Sequence, residues 1–230
     1  MIRVNDWFYF LDALDKNTCD KIKSLKGIKK WVVSKDPNPY DDFDKRQEQW
    51  KSAAVNVKED ITDKERRTGV KKIHAVDKNI RISDASWTED QWVYDIIWPY
   101  MEEANERAGW KYDIRSAETI QITRYKKGGF YGFHIDGKND HLSVYDRPDN
   151  KFMHGYVRKL SMTILLNDNY EGGEFQFATL NQEECKITTP EFNKTGMIIV
   201  FPSDMEHRVA PVTKGIRYSL VVWFVGPPFK

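Results

Sequence analysis

The chain has 230 residues, with 36 Lys+Arg against 35 Asp+Glu, 40% hydrophobic residues and 13% aromatic residues. That is enough apolar material for one sizeable core, and the balanced charge removes the electrostatic case for a nucleic-acid binder. Cys19 and Cys185 are too few and too far apart for a disulfide scaffold or a Cys-rich zinc site, so any metal must be held by His, Asp or Glu.

The longest apolar run, Leu220 to Val225, is far short of the roughly 20 residues that span a bilayer. Near the N-terminus, Trp7 to Leu11 is bracketed by Asp6 and Asp12, unlike a secretory leader. A cytoplasmic protein is the expectation. The fingerprints G-x-G-x-x-G, G-x-x-x-x-G-K-[ST] and G-x-S-x-G are all absent, which counts against dinucleotide and P-loop binding and against a nucleophile-elbow hydrolase.

In chain order, Trp7 to Leu11 reads as a short strand, and Asp15 to Lys26 as a helix with Cys19, Ile22 and Leu25 on one face. Residues 27 to 72 are charged and irregular, broken by Pro37-Asn38-Pro39, with basic clusters at Lys21 to Lys30 and Lys64 to Lys72 that read as solvated faces. Thr88 followed by Gln91 has the spacing of a capping box. It predicts a helix that buries Trp92, Ile96 and Ile97, with Pro99 kinking it or ending its first part.

After about residue 115 the texture changes. Residues 117–125, 160–167, 196–201 and 217–225 are short, β-branched and aromatic, and divided by Gly, Asn and Asp. No helix-length period separates them, so an antiparallel sandwich or barrel is expected, with a jelly roll its form. The predicted class is mostly β with α support. Residues 1–114 form a mixed support region packed on a 115–230 core.

Chemistry concentrates in Tyr125 to Asp136. His134 and Asp136 are two apart, so on an extended strand both face one way with Cα atoms roughly 6–7 Å apart. Alone, this pair reads as surface residues. Far downstream lies Phe201-Pro-Ser-Asp-Met-Glu-His207, and ten residues later Arg217. Two His and one carboxylate on one side of a metal leave open positions, as in non-haem Fe(II) oxygenases, and a zinc hydrolase could use the same ligands. Arg217, Ser219, Val221 and Trp223 share one face of an alternating strand that carries no acidic residue. A buried Arg there needs an anionic partner, which a ligand carboxylate would supply.

Gln121-Ile-Thr-Arg-Tyr125, Gly128 to Asp136, Leu160 to Asn167, Glu171-Gly-Gly-Glu174 and Gly196 to Trp223 together resemble the Fe(II)- and 2-oxoglutarate-dependent oxygenases, in particular their prolyl 4-hydroxylase-like branch with its small bacterial and phage-encoded members. The resemblance implies a double-stranded β-helix in which His134, Asp136 and His207 hold Fe(II). It implies that 2-oxoglutarate binds with its far carboxylate on Arg217 and Tyr125, with Ser219 and Thr163 as further contacts. It also implies O2 as co-substrate, ascorbate in support, and hydroxylation of a C–H bond with release of succinate and CO2.

The implied partner is a peptide or protein with a target proline, in the host cytoplasm if the chain is phage-encoded. No membrane partner is expected. Oxidation of nucleic acid or of a free amino acid, and a non-catalytic metal-binding jelly roll, are the alternatives. His141 and His154 fall in a polar loop and read as exposed, His74 as structural or exposed, Glu174 as structural and Trp223 as core. Gly128, Gly129 and Gly132 are expected to loosen the chain before His134, and loops 27–72 and 137–157 to cover the substrate.

Overall fold

The computed structural model describes residues 6–25, 51–52, 79–138, 141–181 and 184–229. The expectations for loop 27–72, the Lys64 to Lys72 cluster and His74 therefore lie almost wholly outside the described residues.

Two antiparallel sheets face each other. The larger is built from β1 (Phe8–Phe10), β12 (Ile198–Pro202), β8 (Val157–Leu165), β15 (Arg217–Gly226), β6 (Ile120–Tyr125), β4 (Asp84–Thr88) and β2 (Lys51–Ser52) in that spatial order, with β5 (Ser116–Ala117) also paired to β15. The smaller has the order β11 (Glu184–Thr188), β10 (Phe175–Asn181), β13 (Glu206–Val209), β7 (Phe130–His134) and β3 (Arg81–Ile82). A two-stranded ribbon joins β9 (Glu171–Gly172) to β14 (Val212–Lys214). This is the jelly-roll, double-stranded β-helix class expected from the sequence. Two helices, α1 (Lys16–Lys23) and α2 (Gln91–Arg107), supply its α support among the described residues.

The alternation of the strands decides what each face of the large sheet does. Ile120 and Ile122 of β6, Leu160, Met162 and Ile164 of β8, Ile198 and Val200 of β12, and Leu220, Val222 and Phe224 of β15 pack in one cluster with the helices. Into the same cluster α1 buries Cys19 and Ile22, and α2 buries Val93, Ile97, Met101 and Ala104. The residues one position along, including Tyr125, Leu165, Ile199 and Phe201, belong to a second cluster with Phe175, Phe177 and Val209 of the small sheet. The inter-sheet space is where the polar residues of β15, β8 and β6 collect.

Local details differ from the sequence reading at three points. Helix α1 is capped by Asp15, whose Oδ1 accepts from the Thr18 N–H at 2.8 Å, and it ends at Lys23 with Ser24 as its C-cap, short of the expected Lys26. Thr88 is not the cap of α2. It ends β4, accepts from the Asp90 N–H at 3.2 Å and donates to the Asp90 carboxylate, so Asp90 becomes the N-cap residue. Pro99 neither ends nor divides α2, which runs on to Arg107. The buried row Val93, Ile97, Met101 and Ala104 outweighs the one backbone hydrogen bond a proline removes.

No helix among the described residues is long and apolar enough to cross a membrane.

Candidate active site

His134 ends β7, and Asp136 lies just beyond the strand rather than on it, its backbone N–H donating to the Ser203 carbonyl at 2.9 Å. His207 stands on β13 directly opposite His134 in the register of the small sheet. Cross-strand pairing thus joins residues 73 apart in sequence. Asp136 Oδ1 is 3.6 Å from His134 Nε2, and Oδ2 is 3.5 Å from His207 Nε2. Ligand atoms of the three residues all lie within 4.8 Å of one another, the one such group among the described residues that contains two histidines.

The other ring nitrogens are occupied by carbonyls. His134 Nδ1 lies 2.8 Å from the Gly132 oxygen and His207 Nδ1 lies 2.9 Å from the Met205 oxygen. A carbonyl only accepts, so in each neutral ring Nδ1 carries the proton and Nε2 presents its lone pair toward Asp136. Burial pushes the His207 imidazolium down to about 4, with His134 adding to the shift and Asp136 opposing it. Burial by itself would raise Asp136, but His207 and His134 beside it hold its carboxyl well below the usual range. A neutral His and an ionised Asp are the ligand forms a divalent cation needs.

Asp136 is fixed from behind. Ser161 Oγ on β8 donates to Asp136 Oδ2 at 2.7 Å and lies 3.0 Å from Ser203 Oγ. Arg158 donates to the Asp136 carbonyl at 3.1 Å and grips Glu118 with Nε and Nη2 at 2.5 and 2.7 Å. Tyr145 donates to the same Glu118 at 2.7 Å, which ties the loop after Asp136 to this ion pair. None of Ser161, Ser203, Glu118, Arg158 and Tyr145 is legible as a site residue, because each contact bridges 22 residues or more and forms only on folding.

Arg217 is 1% exposed on β15. Nη1 donates to Ser219 Oγ at 3.0 Å, while Nε and Nη2 have no hydrogen-bond partner among the described residues. Its guanidinium carbon stands 5.6 Å from the centroid of the Tyr125 ring, the residue opposite it on β6. Gly173, at φ +69°, lies so close that a Cβ there would meet Arg217 Cδ at 3.0 Å and a Val212 methyl at 2.9 Å. The Gly172-Gly173 turn thus leaves the arginine its room.

A cavity of about 1190 Å³ includes His134, Asp136, His207, Tyr125, Thr163 and Ser219 in its lining. Trp223 lines it too and is not core as expected: the Arg158 guanidinium lies 4.0 Å over its ring, and its Nε1 is buried without a partner. Tyr145, Arg147, Phe152 and Met153 bring loop 137–157 to the wall. His154 is exposed, its Nδ1 accepting from the Arg147 N–H at 3.2 Å, and is remote from the triad's contacts; the His141 side chain lies outside the described residues. Gly128, at φ +81°, and Gly129, where a Cβ would meet the Lys126 carbonyl at 2.8 Å, form the turn before β7, and Gly132 within β7 supplies the carbonyl at His134 Nδ1.

The fold and this triad define a jelly roll with a two-histidine, one-carboxylate centre. Residues 120–225 match the profile of the family described as the 2OG-Fe(II) oxygenase superfamily. A PKHD-type hydroxylase of Xylella fastidiosa is 38% identical over 106 residues, covering 45% of this chain and 42% of that protein. The PKHD-type hydroxylase YbiX of Shigella sonnei is 34% identical over 113 residues, covering 47% and 44%. The chain thus spans less than half the length of the curated relatives it matches.

Solved structures extend the likeness of the fold to the whole chain. The viral collagen prolyl hydroxylase of Paramecium Bursaria Chlorella virus-1 aligns with a TM-score of 0.56 at 19% identity, covering 96% of this chain and 97% of that one. A Pseudomonas putida prolyl-4-hydroxylase gives 0.56 at 16%, covering 95% and 92%.

The family's groups are Fe(II) and 2-oxoglutarate, and the residues here fit both. Three convergent donors in their ligand forms suit a divalent cation. The two orphaned nitrogens of buried Arg217 suit a carboxylate.

Proposed function

We propose that the chain is an Fe(II)- and 2-oxoglutarate-dependent dioxygenase that hydroxylates a C–H bond in a polypeptide, with a prolyl residue as the first target. The observation that carries this reading is Arg217: a buried guanidinium with two unpartnered nitrogens, bonded to Ser219 in the lining of the cavity that holds the triad. A buried cation left unpaired is costly, so the arrangement makes sense with an anion in place.

In this reading His134, Asp136 and His207 hold the iron, Arg217 and Tyr125 hold the far carboxylate of 2-oxoglutarate, and Ser219 and Thr163 line its cleft. When bound, the iron and 2-oxoglutarate supply with O2 an oxidant strong enough for an unactivated C–H bond, with succinate and CO2 as co-products. The chain's own work is positional. The Gly132 and Met205 carbonyls keep both imidazoles aimed, Ser161 stops the Asp136 carboxylate from turning away, and Trp223 and Tyr131 wall the space for the substrate.

In this account residues 115–230 carry the triad and Arg217, while the N-terminal part completes the sheets through β1, β3 and β4 and lends Arg81, Trp87 and Tyr94 to the cavity wall. The prolyl target is drawn from the named activities of the structural relatives.

The test is incubation with Fe(II), 2-oxoglutarate, O2 and a library of proline-containing peptides. Succinate should form in step with gain of one oxygen atom on a peptide, and both should vanish in His134→Ala. Absence of peptide-stimulated succinate with iron and 2-oxoglutarate both bound would overturn the prolyl assignment.

A further inference from the structure

Arg81 is a second buried cation, and among the described residues it too lacks an anionic partner. The residue is 6% exposed, its Nε donates to Ser83 Oγ at 2.7 Å, and its guanidinium carbon stands 4.5 Å from the centroid of the Tyr131 ring. Both neighbours are neutral. Among the described residues no carboxylate lies within ion-pair distance of it, although salt bridges elsewhere are common. Arg81 lines the same cavity as the triad.

Its position is set by the sheet. β3 pairs with β7 so that Arg81 lies opposite Tyr131, and the Tyr131 ring stacks on His134 with centroids 3.6 Å apart. The Arg81 guanidinium is therefore no more than about 8 Å from the His134 ring, by the sum of these two contacts. Of the other charged residues lining the cavity, Asp136 faces the two histidines and Arg158 holds Glu118, while Glu89, Lys138 and Arg147 are exposed.

We propose that Arg81 is the anion receptor of the substrate site and binds a carboxylate carried within about two residues of the carbon that reacts. An extended residue spans about 3.3–3.6 Å, so the stretch of about 8 Å between the Arg81 guanidinium and the His134 ring corresponds to about two residues at most. A guanidinium fork matches a carboxylate in charge and in its two oxygens. The carboxylate has three possible sources: a free amino acid, the C-terminus of a peptide, or an Asp or Glu side chain next to the target. The inference rests on the oxygenase reading for the identity of the reacting carbon; the binding itself requires no turnover.

The experiment is calorimetric titration of protein loaded with Mn(II) and N-oxalylglycine, using matched acids and amides. The pairs are L-proline with L-prolinamide, N-acetyl-L-proline with its amide, and N-acetyl-Pro-Glu amide with N-acetyl-Pro-Gln amide. At least one acid should bind about tenfold or more tightly than its amide, the range expected of a charge-assisted pair, and the pair that does so names the source. Arg81→Gln should abolish that difference while leaving Mn(II) binding intact, and Arg81→Lys, which keeps the charge but not the fork, should retain part of it.

Acids and amides binding alike, no acid binding at all, or a preference that survives Arg81→Gln would each overturn the proposal. Should Arg81→Gln fail to fold, an undiminished preference in Arg81→Lys overturns it. Succinate formation reports separately. Acid-selective binding without turnover leaves Arg81 in its role and overturns the prolyl hydroxylase reading, whereas equal turnover of acids and amides does the reverse.

Discussion

Ser161 Oγ donates a hydrogen bond to Asp136 Oδ2 at 2.7 Å, and that same oxygen is the one 3.5 Å from His207 Nε2. The hydroxyl fixes the carboxylate's rotation at the point where it shares a ligand with His207. Ser161→Ala leaves Asp136 ionised but free to turn. Metal affinity should fall by about 10–100-fold, the usual effect of removing such a supporting contact, with little change in melting temperature. Competition titration with a chromogenic chelator measures it, and unchanged affinity would show that Ser203 and the backbone suffice.

Arg217 gives a prediction about stability as well as binding. In the ligand-free protein its Nε and Nη2 are buried and unpaired, so Arg217→Met should not lower the melting temperature of that form and can raise it. Wild-type protein with a divalent metal should gain stability as 2-oxoglutarate is added, by mass action. The variant should show no such gain. Thermal melts with and without 2-oxoglutarate check both halves.

Loss of Glu118 should be felt globally. Its partner Arg158 is held by two hydrogen bonds and stacks on Trp223, and its pKa is raised well above the ordinary value, Glu118 overcoming the effect of burial. Glu118→Ala strands that charge and frees Tyr145 from its anchor. Breaking a buried pair by removing one partner costs about 3–5 kcal/mol. Urea denaturation of the variant should show a loss near the lower end, since Arg158 keeps its bond to the Asp136 carbonyl.

The metal-free protein should lose stability in mildly acid solution. His207 titrates near 4 when folded, against the ordinary 6.5 when unfolded. The unfolded chain therefore takes up a proton first, so this contribution is fully present above about pH 6.5 and is lost as pH falls toward 4. Asp136 is ionised in both states over most of that window, because its folded value is lower still. Melting temperatures measured from pH 7.5 to 4.5 should decline, and the slope should be shallower in His207→Gln.

How much of this could be read from the sequence follows from the range of the contacts. The alternation in Arg217 to Phe224 is a local, period-two signal, and the structure puts Leu220, Val222 and Phe224 against the helices and Ser219, Val221 and Trp223 in the cavity lining. Such a signal also gave the jelly-roll class, because each strand must satisfy both faces at once. Trp223 was misread as core since a tryptophan on an apolar strand looks the same in either setting; what distinguishes it is Arg158, 65 positions away in the chain.

Thr88 and Gln91 have the spacing of a capping box, yet Asp90 stands between them and takes the N-cap position while Thr88 serves the strand. Ser161 sits among buried aliphatics on β8 and carries no local mark of its bond to Asp136. Arg81 was likewise invisible. Its significance comes from pairing opposite Tyr131, which only the sheet register reveals.

The most direct test of the central claim is anaerobic titration of the Fe(II)-loaded protein with 2-oxoglutarate, followed by visible absorption. A metal-to-ligand charge-transfer band should appear in the wild type, disappear in Asp136→Ala, and require far more 2-oxoglutarate in Arg217→Ala. Failure of the band to appear with iron demonstrably bound would contradict the account at its root and leave a metal-binding jelly roll that recognises its ligand without turnover.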